Sequence, residues 1–552
     1  MSRLDYSAGA SCIALVAPGE PSVSSGPRRT GASLNVAGSV AREPTLVFEG
    51  RTERGGGKVE EGSGRRGEGE QVASVYSGTR WNTIGSGGLQ LIRLLTSISL
   101  ARLLGPEDFG VMAVALVTVQ LIDMFQDFGT GRAIIQRPEL TPALYSSVFS
   151  FNLVLGGLSA LLLVLCADVV AALFGQGQPL PQMLRVLAIS SVVVAASSAQ
   201  RALLMRRLAF GKLAVATLSG SLLNAGLSVT LALAGKGVWA MVIGYLSDTV
   251  VQTLVIVMLC SWRPRLQLRR AELMTIWEFS SNLVMANLVQ FVLRNADSLI
   301  VARFLGTGAM GYLSMARRLV APARMLGRIL GGVINPALAR RQGDLPRFRQ
   351  DLLRAASGLA LLTFPVLAGT AVVARPFIEG VLGADWTPAV RPAEILAPTT
   401  IGLELISFAG AVFYAVGRTR ALFLWMLSQA GCLVVAWLIG AQFGLSGVVG
   451  ATAVVTVALF YPGIAIPCGL VGLSFGQFCR ALEPYVTLTA GMVVIALGVR
   501  YVTEGSGWGP QATVGASAFA GSLAYGGLAW FRRPAALEEF GRLLGIKAAG
   551  SR

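Results

Sequence analysis

Apolar runs about 20 residues long succeed one another from Ile84 to Trp530, with polar residues gathered in the short intervals between them. The runs are continuous rather than alternating at every second position. They therefore read as helices able to cross a bilayer core of about 30 Å, and not as the strands of a membrane barrel. About fourteen spans are expected, over 84–104, 109–128, 148–167, 184–204, 213–233, 239–259, 283–305, 310–334, 352–373, 392–415, 421–439, 448–466, 485–502 and 512–530. The seventh and eighth are the least apolar. Arg294, Asn295 and Asp297 interrupt one, and Arg317, Arg318, Arg324 and Arg328 the other. The fold class that follows is all-α, a polytopic membrane protein.

The polar intervals carry an orientation signal, because Lys and Arg are retained on the cytoplasmic side. With the N-terminus inside, the inner loops hold Arg132 and Arg137, then Arg201, Arg206, Arg207 and Lys212, then Arg263, Arg265, Arg269 and Arg270. Further along they hold Arg340, Arg341, Arg347, Arg349 and Arg354, then Arg418 and Arg420, then Arg480, and finally Arg532, Arg533, Arg542 and Lys547. The outer intervals 168–182 and 440–447 differ sharply, with no basic residue before Arg185 in the first and none in the second. Both termini are expected in the cytoplasm, with the chain in the cytoplasmic (inner) membrane. The formal net charge of +17 then sits at membrane boundaries facing anionic lipid, and nucleic acid is not the expected partner.

Residues 1–75 depart from this pattern. They are rich in Gly, Ser, Arg and Glu and cannot bury a core, so a disordered cytoplasmic tail is expected, with an alternative translation start near Val72. Residues 532–552 read as a second cytoplasmic tail. Between them the expected organisation is an N-terminal helical bundle over 79–270, a C-terminal bundle over 271–471, and two additional transmembrane helices within 478–531.

What the chain lacks narrows its chemistry. It has no histidine, so His-based triads, general bases and metal sites are excluded. Cys12, Cys166, Cys260, Cys432, Cys468 and Cys479 show no paired ligand spacing and read as packing residues. No P-loop and no dinucleotide fingerprint occurs, and the many glycines are scattered through the spans as close helix packing in lipid requires. Neither an enzymatic role nor a metal or cofactor is expected.

An internal repeat adds a topology. Arg93, Ala101-Arg-Leu-Leu-Gly105 and Gly110 recur as Arg294, Ala302-Arg-Phe-Leu-Gly306 and Gly311, at one constant offset of 201 residues. The first and seventh spans are thus equivalent, and the second copy begins near the half-way point of the helix count. Duplicated bundles facing a central cavity are a common build of secondary transporters, with the binding site near midplane between the repeats.

The segment Ala101-Arg-Leu-Leu-Gly-Pro-Glu-Asp-Phe-Gly110, followed by Asp127-Phe-Gly-Thr-Gly131 and Ala133-Ile-Ile-Gln-Arg137, resembles the opening of polysaccharide-biosynthesis membrane proteins of the Wzx type. These belong to the multidrug, oligosaccharidyl-lipid and polysaccharide (MOP) exporter superfamily. The resemblance extends over about residues 79–531. It implies two helical bundles and flipping of an undecaprenyl-diphosphate-linked oligosaccharide from the inner to the outer leaflet, for exopolysaccharide, capsule or O-antigen synthesis. It also implies a polysaccharide polymerase and export machinery as partners.

Arginine in a bilayer interior costs from about 2.5 to over 10 kcal/mol, and such residues commonly face a cavity or mark a pathway. Arg93 and Arg294 lie well inside their spans at equivalent repeat positions. With Arg317, Arg324 and Arg328, which share roughly one helix face, they are the candidate cavity cations for a diphosphate. Arg318 adds to the positive field. The alternative for Arg294 is neutralisation by Asp297, three residues on; that for the eighth-span arginines is a tilted, partly interfacial helix. Arg102 and Arg303 sit near helix ends and are expected to snorkel. Candidate ion-coupling carboxylates are Asp123, Asp127, Asp248, Asp297 and Glu404. Asp123 and Asp127 share a face, with helix-end placement the alternative for Asp127.

Three functions compete. A lipid-linked oligosaccharide flippase ranks first, a multidrug/cation antiporter of the same fold second, and a membrane glycosyltransferase or polysaccharide polymerase third. The antiporter favours an acidic, aromatic-lined pocket over buried arginines. The enzyme needs catalytic carboxylates or a large outer loop, whereas the expected outer loops are short.

Overall fold

A computed structural model describes residues 87–127, 130–131, 134, 141–175, 177, 179–339, 344–532 and 534, without side chains at 125–127, 142, 271, 273, 275–286, 330–337 and 339. The two expected tails, the alternative start near Val72, Cys12, and Arg132, Arg137, Arg340, Arg341, Arg533, Arg542 and Lys547 lie outside the described residues.

Helix α1 covers 87–103, followed by α2 (Pro106–Asp127), α3 (Pro142–Leu173), α4 (Leu180–Arg206), α5 (Phe210–Leu233) and α6 (Trp239–Leu259). The stretch Arg270–Ala339 is interrupted at Gly306, whose φ of 86° and ψ of 176° divide it into α7 (270–305) and α8 (307–339). Then come α9 (Leu345–Phe377), a π turn (Ile378–Leu382), a 3-10 turn (Ala384–Ala389), α10 (Val390–Ala415), α11 (Thr419–Ala441), α12 (Gly444–Leu470), α13 (Phe475–Gly505) and α14 (Pro510–Arg532). No strand occurs among the described residues.

The expected spans map one to one onto these helices, and α6 coincides with its span at both ends. Others are longer than their apolar window. Helix α3 starts at Pro142, where Thr141 accepts a 3.1 Å hydrogen bond from the Leu144 amide and proline takes the first turn without needing a donor. Helix α13 starts ten residues before its window, on a capping box between Ser474 and Gln477. A hydropathy window sees the bilayer-crossing part of a helix, whereas capping chemistry sets where it begins.

Ten stretches, one of them Asn287–Ile329 across the α7/α8 break, are long and apolar enough to cross a bilayer by length and composition among the described residues. Large apolar side chains also stand on the outside: Leu165 is 66% exposed, Met258 71% and Val457 77%. Such a surface is suited to lipid rather than water, and the chain is a multi-pass membrane protein.

The repeat is visible in the packing. Helix α3 packs on α4, α4 on α6 and α5 on α6; six helices further on, α9 packs on α10, α10 on α12 and α11 on α12. Helix α2 joins the first set to the second by its interface with α8. There, a Cβ on Gly110 would lie 2.5 Å from the Thr307 carbonyl carbon, and one on Gly311 would lie 2.7 Å from that of Pro106. Each member of one contact is the repeat equivalent of a member of the other. The two glycines therefore mark a local pseudo-twofold axis along which the backbones touch.

One end of this interface is closed by the 3-10 turn. Trp386, 1% exposed, sits with Phe109 of α2 and Tyr312 of α8 in edge-to-face contact, ring centroids 5.1 and 6.2 Å away. Its indole N–H donates to the Ala101 carbonyl of α1 at 2.8 Å. Trp386→Phe keeps the ring contacts and removes that donor. It is expected to cost about 1 kcal/mol, read as a lower unfolding temperature of the purified protein; an unchanged temperature would show the bond contributes nothing.

A candidate cationic cavity between the repeats

Helices α1, α2, α5 and α6 on one side and α8 on the other enclose a cavity of about 500 Å³. Its charged lining residues are Arg93 of α1, Arg318 and Arg328 of α8, and Asp248 of α6.

Arg318 is the anchored cation. Its guanidinium donates to the Ser97 hydroxyl of α1 and lies 5.3 Å from the centre of the Phe109 ring of α2. Ser97 lies one turn after Arg93 and donates to the Arg93 carbonyl at 2.7 Å, so the side chains at 93 and 97 occupy one face of α1. Arg93 and Arg328 are exposed, among lining residues that are buried or half-buried. On the opposite wall Asp248 accepts from Gln252 at 2.9 Å, and Gly220 lets α5 approach it, since a Cβ there would lie 2.7 Å from the Asp248 carbonyl oxygen. Ser221, Asn224 and Ser228 of α5 and Tyr245 of α6 complete a neutral polar wall.

The remaining candidates are distributed elsewhere. Arg317 pairs with Asp297 and donates to Ser298 at 2.6 Å, joining α8 to α7. Arg324 of α8 lies 3.5 Å from Glu404 of α10, and a Cβ on Gly327 would lie 2.5 Å from the same carboxylate. Arg294 donates to Gln290 one turn back and is exposed, while Asp297 is held by Arg317. Asp123 accepts from Ser191 of α4 at 2.5 Å. The Asp127 side chain lies outside the described residues. Arg102 donates to the carbonyls of Val381 at 2.5 Å and Gly380 at 3.3 Å, capping the π turn. Its repeat equivalent Arg303 is exposed beside Phe304. The two arginines thus have different surroundings despite equivalent sequence positions.

Ser97, Asn224, Ser228 and Tyr245 were not singled out by the sequence. Ser97 had a signal, its i,i+4 spacing from Arg93; the others are ordinary polar residues in apolar helices until α5 and α6 bring them to one wall. Among the described residues Cys166, Cys260, Cys432, Cys468 and Cys479 are free, and no three Cys, Asp or Glu side chains converge as a metal site would require.

These features define a class: a helical membrane transporter fold, two repeats about a polar cavity. A family model described as "Polysaccharide biosynthesis protein" matches residues 99–391, more than half of the chain. The protein belongs to that family. It is 26% identical to lipopolysaccharide biosynthesis protein WzxC of Escherichia coli strain K12, over 77% of this chain and 88% of that one. It is 25% identical to teichuronic acid biosynthesis protein TuaB of Bacillus subtilis strain 168, over 82% and 94%. Among solved structures it resembles the lipid II flippase MurJ in an inward closed conformation, with a TM-score of 0.65, 14% identity, and coverage of 82% of this chain and 98% of that one. An inward-facing multidrug resistance MATE transporter of the MOP superfamily aligns with a TM-score of 0.56 at 15% identity, over 72% and 95%. At these identities the two structures speak for the fold alone.

Proposed function

We propose that the protein flips undecaprenyl-diphosphate-linked oligosaccharide from the inner to the outer leaflet of the cytoplasmic membrane, with both termini in the cytoplasm. The observation that carries this reading is the charge of the cavity: three guanidiniums against the single carboxylate of Asp248 among its described lining residues. A diphosphate is the complementary ligand, since guanidinium forms paired, charge-assisted hydrogen bonds with phosphate oxygens and does so most strongly away from water. The hydroxyls and amide of Ser221, Asn224, Ser228 and Tyr245 supply neutral partners for sugar hydroxyls.

In this mechanism the headgroup enters the cavity from the cytoplasmic leaflet while the prenyl chain stays in lipid. The closure at Trp386 then yields as the two repeats rock against each other, and the headgroup leaves on the other side. The delivered unit is a substrate for an outer-face polymerase and its export machinery. The names of WzxC and TuaB, which assign those proteins to lipopolysaccharide and teichuronic acid biosynthesis, support this class of cargo. A cation antiporter is the less supported reading, because the same three arginines repel its cargo.

The test is translocation of a fluorescent undecaprenyl-diphosphate oligosaccharide in proteoliposomes. Arg93→Gln and Arg328→Gln are each expected to slow it about tenfold to a hundredfold, the loss of a charge-assisted hydrogen bond worth about 1.5–3 kcal/mol. Full activity in both variants sinks the cavity assignment, and ion-driven efflux of an organic cation would favour the antiporter.

A further inference from the structure

A second basic concavity lies apart from the central cavity. Arg349, Gln350 and Leu353 of α9 face Gln477, Arg480 and Ala481 of α13 across a cleft of about 500 Å³, with Leu473 at its base. No carboxylate is among its described lining residues. Arg349 is held in place, since its Nε donates to the Val471 carbonyl. The adjoining Gly472, at φ 67°, leaves room for the guanidinium, whose central carbon would lie 3.2 Å from a Cβ there. Arg480 is exposed and makes no ion pair or hydrogen bond with the described residues. Two cations thus converge, one fixed and one unengaged, beside two carboxamides and an apolar floor.

The level of the cleft is set by helix length. At about 1.5 Å per residue, α9 with 33 residues and α13 with 31 are much longer than a bilayer core of about 30 Å requires. Their first turns therefore stand at the headgroup layer, where lipid phosphates lie. The geometry points to this cleft as a binding site for the phosphate of an anionic phospholipid. The phosphate lies between Arg349 and Arg480, Gln350 and Gln477 donate from their side-chain amides, and an acyl chain runs along Leu353 and Ala481. Guanidinium geometry suits phosphate oxygens, and basic groups at this depth attract anionic lipid. The site is independent of the cargo assigned to the central cavity.

The experiment is native mass spectrometry of the purified full-length protein, titrated with phosphatidylglycerol or with phosphatidylcholine of the same acyl chains. The wild type is expected to retain one phosphatidylglycerol about tenfold more tightly than phosphatidylcholine. R480Q, which removes no contact within the fold, abolishes that preference, as does R349Q/R480Q, while R93Q keeps it. An equal affinity for the two lipids in the wild type, or an undiminished preference in R480Q, overturns the proposal. Calorimetric titration with inorganic phosphate separates the sources: free phosphate binding that R480Q removes, without a phosphatidylglycerol preference, assigns the cleft to a soluble anion and overturns the lipid.

Discussion

Gly311→Ala and Gly110→Ala are each expected to leave little folded protein in the membrane. The added methyl at 311 would meet the backbone of Pro106, and that at 110 the backbone of Thr307, with carbonyl carbons 2.7 and 2.5 Å away and the oxygens nearer still. A flexible side chain can rotate out of such an overlap; a helix backbone has to translate. Overpacking a well-formed core typically costs about 1–3 kcal/mol, and a clash between backbones that cannot relax belongs at the upper end or beyond. That is a large share of a native stability of about 5–15 kcal/mol. Gly105→Ala is the control, because nothing lies within 4 Å of a Cβ there. Yield of monodisperse protein after detergent extraction reads the outcome. Near-equal losses for the two repeat-related glycines with no loss at Gly105 bear out the pseudo-twofold contact, and wild-type yield for both refutes it.

Arg317→Ala is the second large effect. Asp297 is 8% exposed, and the guanidinium of Arg317 is its partner across α7 and α8. Removing one member of a buried pair leaves an uncompensated charge and typically costs about 3–5 kcal/mol. The double variant Arg317→Ala/Asp297→Asn removes both charges, and it is expected to regain most of the lost stability, as read by thermal unfolding in detergent. If the double variant is no more stable than Arg317→Ala, the pair is not what the single substitution broke. Translocation in the double variant then distinguishes the two roles given to Arg317. Restored transport makes it a structural cation. Transport that stays low in a stable protein returns it to the substrate path.

Both predictions rest on residues visible in the sequence, but with unequal warning. The offset of 201 residues announced the glycines as a pair, because a repeat is a property of order along the chain. It could not announce that Gly110 meets Thr307, or Gly311 meets Pro106; that follows from how α2 crosses α8. For the arginines the sequence separated cavity candidates from the helix-end residues Arg102 and Arg303, and the structure divides them further. Arg93, Arg318 and Arg328 line the cavity, Arg317 and Arg324 hold carboxylates of neighbouring helices, and Arg102 caps a turn nearly 280 residues away. Arg318 shows why spacing was insufficient: its guanidinium reaches Ser97 and the Phe109 ring, on helices whose distance from α8 no local pattern encodes.

The all-helical class, the order of the helices and the place of the repeat are legible along the chain. Lipid offers the backbone no hydrogen-bond partners, so a run of about 20 apolar residues has few alternatives to a helix. Tertiary structure decided which cations face the cavity and which are neutralised, that Trp386 closes one end of the α2/α8 interface, and that Arg349 and Arg480 converge from helices far apart in the chain. The physical reason is range. Helix formation in a bilayer is decided within a few turns of chain, whereas the partner and the electrostatic surroundings of a long, flexible guanidinium depend on whatever other helices packing brings within its reach.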